Sequence, residues 1–252
     1  MLAIHFRRAS SLSFNLSFTT PQSPANLSEL IICTGDARLR VDALWLTRIR
    51  YDQLAPNSVG RVQYADPVPL WDRASGEMAS FTTTFYFNIS LDDKSGGGDG
   101  LAFFLAPPES GVVPAKNSGA ALGLLPNSPK YWNDTAGIIA VEFDTFQNLD
   151  YADISDDHIG IDVNSLISRA STTNTTFPQL TSNFVKMATV RYDNVTKLLL
   201  VDLKINGQSY NVNTTVDLRS YTTGNGSFAA HGKAAKTLGK SKGHTAKLLT
   251  AN

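Results

Sequence analysis

The chain has 252 residues, 42% hydrophobic and 17% charged, and its 22 basic and 22 acidic residues leave a formal net charge of zero. Nothing in that balance suggests nucleic acid or an anionic membrane as a partner, and no apolar run approaches the roughly 18 residues of a membrane-spanning helix. The length suits one large β-sandwich or two small domains, and Cys33 is the only cysteine, so no intrachain disulfide forms.

Met1 to Ser13 carries Arg7 and Arg8 but no apolar run of the roughly 7–15 residues expected in a signal peptide. Against this stand eight Asn-x-Ser/Thr sequons, at Asn15, Asn26, Asn88, Asn133, Asn174, Asn194, Asn213 and Asn225. Together they point to an extracellular or secretory-pathway glycoprotein. Either the leader is not part of this sequence or the product stays inside the cell.

Phe14, Leu16 and Phe18 alternate as on a strand, and a Pro-broken loop follows over 20–28. Leu30 to Cys33 is apolar, Gly35-Asp36 turns, and Leu39 to Thr47 alternates again. Arg61 to Asp72 reads as a short edge strand broken by Pro67 and Pro69. Phe81, Thr83, Phe85 and Phe87 share one face of a strand. A glycine-rich stretch, Ser95 to Gly100, precedes the apolar run Leu101 to Ala106; with no Gly-Lys-Ser/Thr it is a turn, not a phosphate loop. Asn183–Asp193 and Lys197–Ile205 form a predicted hairpin, with Val190, Tyr192, Leu198 and Leu200 as core candidates. Strand signals separated by turns, with little helical periodicity, argue an all-β fold.

The chemistry gathers between Ile138 and Val163. On the first predicted strand Ile139, Val141 and Phe143 face one way and Glu142 and Asp144 the other; on the second, Ile159, Ile161 and Val163 oppose His158, Gly160 and Asp162. Antiparallel pairing would bring Glu142, Asp144 and His158 together, and the intervening loop adds Asn148 and Asp153. Oxygen donors suit a hard ion such as Ca²⁺, and the imidazole suits Mn²⁺ or another transition ion. The pattern is not an EF-hand: counted from Asp144, the glycine position holds Leu149 and the twelfth holds Ser155. Asp150, Asp156 and Asp157 lie off the pattern and read as solvated.

These residues resemble the metal-binding motif of the legume (L-type) lectins, the sugar-binding β-sandwiches of plant seeds and of plant lectin receptor kinase ectodomains. The resemblance extends over roughly 14–221, with Gly35-Asp36-Ala37 and Leu70-Trp71 as further signatures. It implies an all-β, concanavalin-like jelly-roll sandwich of two antiparallel sheets. It implies Glu142, Asp144, Asp153 and His158 as Mn²⁺ ligands, and Asp144, the Phe146 carbonyl, Asn148 and Asp153 as Ca²⁺ ligands. It also implies a sugar site of Asp99, preceded by a cis peptide bond, with Asn148, the Phe146 ring and a backbone N–H from the loop Asn117 to Gly123. Spacing leaves Gly119 and Ala120 both open as that donor. The implied function is non-catalytic, Ca²⁺/Mn²⁺-dependent binding of mono- or oligosaccharides and glycoproteins, with an oligomer, such as a homodimer, supplying avidity.

Beyond Tyr221 the resemblance fades. The expectation is a lectin-like domain over 12–221, lacking the family's last strands and fourth sugar loop, and a basic, disordered tail over 222–252. Two rival functions follow. A degenerate lectin-like protein or receptor ectodomain fragment would bind sugar weakly or not at all. A β-glucan glycosidase would use Glu142-x-Asp144, but positions 146 and 147 are Phe146 and Gln147, so its acid/base partner is missing.

Overall fold

A computed structural model describes residues 13, 15–16, 29–40, 43–48, 58–72, 76–91, 98–107, 119–124, 137–173, 178–221, 227–235 and 244–249. The strands, in chain order, are β1 (Ile31–Gly35), β2 (Arg38–Leu39), β3 (Leu44–Trp45), β4 (Val59–Tyr64), β5 (Val68–Pro69), β6 (Trp71–Asp72), β7 (Glu77–Met78), β8 (Phe81–Leu91) and β9 (Gly100–Ala106). They continue as β10 (Ile139–Asp144), β11 (His158–Val163), β12 (Ala170–Thr173), β13 (Lys186–Tyr192), β14 (Leu198–Ile205), β15 (Gln208–Thr215), β16 (Ser227–Ala235) and β17 (His244–Leu249). The strand expected over Phe14–Phe18 lies largely outside the described residues.

The strands form two large antiparallel sheets and a small β6–β7 pair. One sheet runs β1-β4-β16-β9-β10-β11-β12, with β5 also pairing β16, and the other runs β15-β14-β13-β8-β17-β3-β2. The sandwich follows from period-2 alternation in both sheets. Ile139, Val141 and Phe143 of β10 and Ile159, Ile161 and Val163 of β11 meet Phe87 and Ile89 of β8, Ala188, Val190 and Tyr192 of β13, and Leu199, Val201, Leu203 and Ile205 of β14 in one core. Aromatic rings bind the layers: Phe87 lies 4.8 Å from Phe143, and Phe85 lies 5.7 Å from Phe103 and 5.9 Å edge-on from Phe143. Such pairs contribute about 0.5–1.5 kcal/mol each beyond their buried area. They hold β10, which carries the acidic residues, against the opposite sheet.

A second apolar layer covers the outer face of the first sheet. Ala102, Phe104 and Ala106 of β9 and Ala140 of β10 pack there under Ala121, Leu122, Leu124 and Leu166. β9 and β10 are therefore buried on both faces, which explains their near-continuous hydrophobic runs.

Two expectations are corrected. Leu198 and Leu200 are half-buried on the outer face, and Leu199 and Val201 occupy the core. Four consecutive apolar residues cannot set their own phase; pairing with β13, Val201 to Val190 and Leu199 to Tyr192, sets it. The last strands are also present rather than missing. β16 pairs with β4 on one side and β9 on the other, and β17 pairs with β8 and β3. Within the stretch 222–252, expected to be a disordered tail, Ser227–Ala235 and His244–Leu249 thus supply a strand to each sheet. Its Gly/Ala/Lys composition hid this, because a strand inserted between two others is demanded by their unpaired backbone groups as much as by side-chain alternation.

Candidate metal and sugar site

β10 and β11 pair with Glu142 opposite Gly160 and Asp144 opposite His158. Directly opposite residues share a face, so three polar side chains converge on the side away from the core. Glu142, Asp144 and His158 are 3%, 2% and 2% exposed, and one ligand atom from each lies within 4.8 Å of the others. The glycine is what makes room. A Cβ at position 160 would sit 2.2 Å from Glu142 Oε1 and 2.0 Å from Ser168 Oγ.

The cluster is oriented by its neighbours. Ser168 Oγ lies 2.6 Å from Glu142 Oε1 and 2.9 Å from Asp162 Oδ1, so its one proton is shared between the two carboxyl groups. His158 Nδ1 lies 2.9 Å from the Ser155 carbonyl, which can only accept, so Nδ1 carries a proton and Nε2 faces Glu142 at 3.2 Å. Asp153 Oδ1 is 4.0 Å from His158 Nε2. The loop between the strands closes through the Asn148 N–H, which donates to Asp153 Oδ2 at 2.5 Å, and the Phe146 N–H, which donates to Asp144 Oδ1 at 2.7 Å. A 3-10 turn over Leu149–Tyr151, ended by Ala152 at φ 62°, shapes its tip.

Electrostatically this is a strained set without a cation. Burial, then the charge on Glu142, pushes the Asp144 carboxyl well above its usual range. Burial raises Asp153, and burial followed by Glu142 raises Asp162. Burial pulls His158 down, but its hydrogen bond to and the charge of Glu142 outweigh this and leave it raised. Asn148 Oδ1 is buried with no hydrogen-bond partner among the described residues, a costly position for an amide oxygen unless something accepts its lone pair. Several carboxylates, one imidazole with a free Nε2 lone pair when neutral, and an orphaned amide oxygen fit a divalent cation.

Asp99 joins the same region from the other side. The Gly98–Asp99 peptide is cis, and the Asp99 carbonyl accepts from Thr145 N at 2.7 Å and Thr145 Oγ1 at 2.9 Å. Asp99 is thereby tied to the residue that follows Asp144. Phe146 is 42% exposed, and its Cβ lies 2.6 Å from where a Cβ on Gly98 would be. The aromatic thus sits directly over the Gly98–Asp99 turn. Gly119 starts the 3-10 turn Gly119–Ala121 at φ 80°, a conformation that favours glycine at that position.

The structure therefore brings together Glu142, Asp144, Asn148, Asp153 and His158, with Asp99 and Phe146 beside them; Gly119 opens the turn whose Ala121 packs in the outer apolar layer. Sequence reasoning missed Ser168 and Asp162 as partners of Glu142. Asp162 alternates with His158 and was findable; Ser168 returns from a loop and left no periodic signal. Asp157 is a further correction. It is buried, not solvated, accepts from Leu180 N at 3.2 Å, and burial raises its carboxyl to about 6.

The legume lectin domain family model matches residues 11–238. The chain belongs to the legume lectin family. The match runs past Tyr221, in keeping with β16. The chain is 39% identical to agglutinin-2 of Cladrastis kentukea over 215 residues, 82% of this chain and 71% of that protein. It is 45% identical to the lectin-related protein of Cladrastis kentukea over 159 residues, 63% of this chain but only 52% of that relative. Lectin I-B4 of Griffonia simplicifolia, in a metal-free form, superposes with a TM-score of 0.82 at 33% identity, covering 94% of this chain and 97% of that one. Lectin UEA-II, solved with galactose, superposes with a TM-score of 0.71 at 30% identity, covering 88% and 94%. The jelly-roll sandwich of this legume lectin is thus the family's fold, and membership supports carbohydrate binding by a non-catalytic protein. The glycosidase reading is set aside on that ground. No helix among the described residues is long and apolar enough to cross a membrane.

Proposed function

We propose that this legume lectin binds monosaccharides or glycan termini in a site held ready by Ca²⁺ and a transition ion such as Mn²⁺. The observation that carries the reading is the buried convergence of Glu142, Asp144 and His158 beside a loop that ties directly to Asp99. Glu142, Asp144, Asp153 and His158 would hold the transition ion; Asp144, the Phe146 carbonyl, Asn148 and Asp153 would hold Ca²⁺. The cations offset the repulsion among the carboxylates and fix the loop before ligand arrives, which lowers the ordering cost of binding.

In that frame the Asp99 carboxylate accepts charge-assisted hydrogen bonds from adjacent sugar hydroxyls. With Asn148 Oδ1 turned toward Ca²⁺, its amide N–H is left to donate to the sugar. The Gly119 N–H donates to another oxygen, and the Phe146 ring packs on the C–H face of the pyranose. A shallow site of this kind binds at about millimolar to high micromolar Kd, so avidity calls for an oligomer, of which a homodimer is the simplest. One ground for a degenerate reading, the missing final strands, falls away with β16 and β17 in place. The sequons favour secretion, and Asn213 stands exposed on the edge strand β15.

The test is a glycan array on the purified protein, with Ca²⁺ and Mn²⁺ and after EDTA in mild acid. Protons compete with the cations for the carboxylates, so acid assists removal. Binding should vanish on chelation and return with both ions; full binding after chelation would refute the reading.

A further inference from the structure

The loop that bears Gly119 has an anchor outside the metal cluster. Arg61 lies on β4, on the outer face of the first sheet, and is 1% exposed. Its Nη2 donates to the Gly123 carbonyl at 3.1 Å and to the Leu124 carbonyl at 2.8 Å. Its guanidinium carbon lies 5.0 Å from the ring centroid of Phe104 on β9, so the side chain reaches across the intervening β16. One buried cation therefore connects two strands to the loop above them, 62 and 63 residues along the chain.

The loop needs such a hold. After the 3-10 turn, Leu122 and Gly123 both take positive φ, 44° and 64°. Leucine in that region costs about 1–2 kcal/mol, and it persists only where the surroundings over-determine it. The Leu122 N–H bonds to the Gly119 carbonyl and the Leu124 N–H to the Ala121 carbonyl, both at 2.7 Å. These bonds close the turn internally, whereas Arg61 fixes the turn to the sheet. The apolar contacts of Ala121, Leu122 and Leu124 with Phe104 and Ala102 add burial but no direction.

We propose that Arg61 is a positioning residue for sugar binding: its Nη2 amino group holds the Gly123 and Leu124 carbonyls so that the Gly119 N–H is aimed before a saccharide arrives. This rests on Gly119 being a sugar donor, as proposed above. Lysine cannot take over the role in full: an ammonium can donate to two carbonyls, but it lacks the guanidinium plane that lies over the Phe104 ring while Nη2 does so.

Arg61→Lys and Arg61→Gln, in the full chain loaded with Ca²⁺ and Mn²⁺, test this. Three quantities are read: bound metal, amide exchange over residues 119–124, and affinity for the best binder in a panel of galactose, N-acetylgalactosamine, glucose, mannose and fucose. Expected are wild-type metal content, faster exchange at Leu122 and Leu124, and affinity about tenfold weaker in both variants. A role in global stability alone would lower Tm without changing sugar affinity at low temperature. Sugar affinity within twofold of wild type in a folded Arg61→Lys protein overturns the proposal, as does loss of metal in step with sugar. If the wild type binds no sugar in the panel, the sugar-site reading fails, and the exchange data alone decide whether Arg61 holds the loop. If neither variant folds, exchange in the wild type decides: Leu124 protected like β9 supports the anchor, and Leu124 exchanging like an exposed loop refutes it.

Discussion

Replacing Gly160 by alanine asks whether the pocket behind Glu142 is a built feature of the metal site. The backbone at Gly160 lies outside the positive-φ region, so alanine is not strained by conformation. The added Cβ, however, falls 2.2 Å from Glu142 Oε1 and 2.0 Å from Ser168 Oγ, where ordinary contact begins at 3.4 Å. Both atoms are side-chain ends and can retreat, so the fold should survive at an overpacking cost of about 1–3 kcal/mol. The carboxylate must move by about 1 Å, well outside the roughly 0.2 Å tolerance of a metal–ligand distance. Loss of a correctly oriented ligand should weaken Mn²⁺ binding by about 100-fold or more. At metal concentrations that saturate the wild type, this removes about 2–3 kcal/mol of metal-linked stability, or about 4–12 °C of the Tm gained on adding metal. Calorimetric titration with Mn²⁺ and thermal melts with and without EDTA measure both effects. In EDTA the two proteins should differ only by the overpacking cost. A folded Gly160→Ala protein with wild-type Mn²⁺ affinity refutes the reasoning.

Asp99→Asn keeps shape but removes the charge, and should weaken sugar binding by about 1.5–3 kcal/mol with metal content unchanged; a glycan titration with parallel metal analysis checks it. Lys186 is buried, its Nζ donates to Asn88 Oδ1 at 2.9 Å, and burial lowers its pKa from 10.5 to about 7. The unfolded chain therefore holds the extra proton between those two pKa values, and stability from this group rises with pH across that window. The gap between wild type and Lys186→Met in urea unfolding should shift in favour of wild type by about 2 kcal/mol from about pH 7 to about pH 9; a flat difference would refute it. Expression through a eukaryotic secretory pathway should place a glycan on Asn213, seen as a mass loss on amidase treatment and absent from Asn213→Gln.

The acidic cluster was legible because strand geometry turns i and i+2 spacing into convergence: Glu142 and Asp144 on one strand, His158 at the matching place on the next. The loop offered Asn148 and Asp153 as further oxygen donors, but which ion each would serve needed the family pattern, since a loop has no periodicity to project. The phase of Leu198 to Val201 was illegible because all four residues are apolar and only the neighbouring strand chooses between faces. Asp157 was misread because an aspartate beside other aspartates looks solvated until the Leu180 N–H that covers it is in place. Arg61 gave no signal at all, as its partners are backbone carbonyls some sixty residues away.

The order in which the strands sit has a bearing on biosynthesis. β16 fills the gap between β4 and β9, and β17 the gap between β8 and β3. During synthesis neither sheet is continuous until residues 227–249 have left the ribosome. The nascent chain must wait with two open slots, each flanked by strand edges able to recruit a stray segment. Completion of this lectin is therefore a late, long-range event, slow by topology and sensitive to whatever protects those edges in the interval.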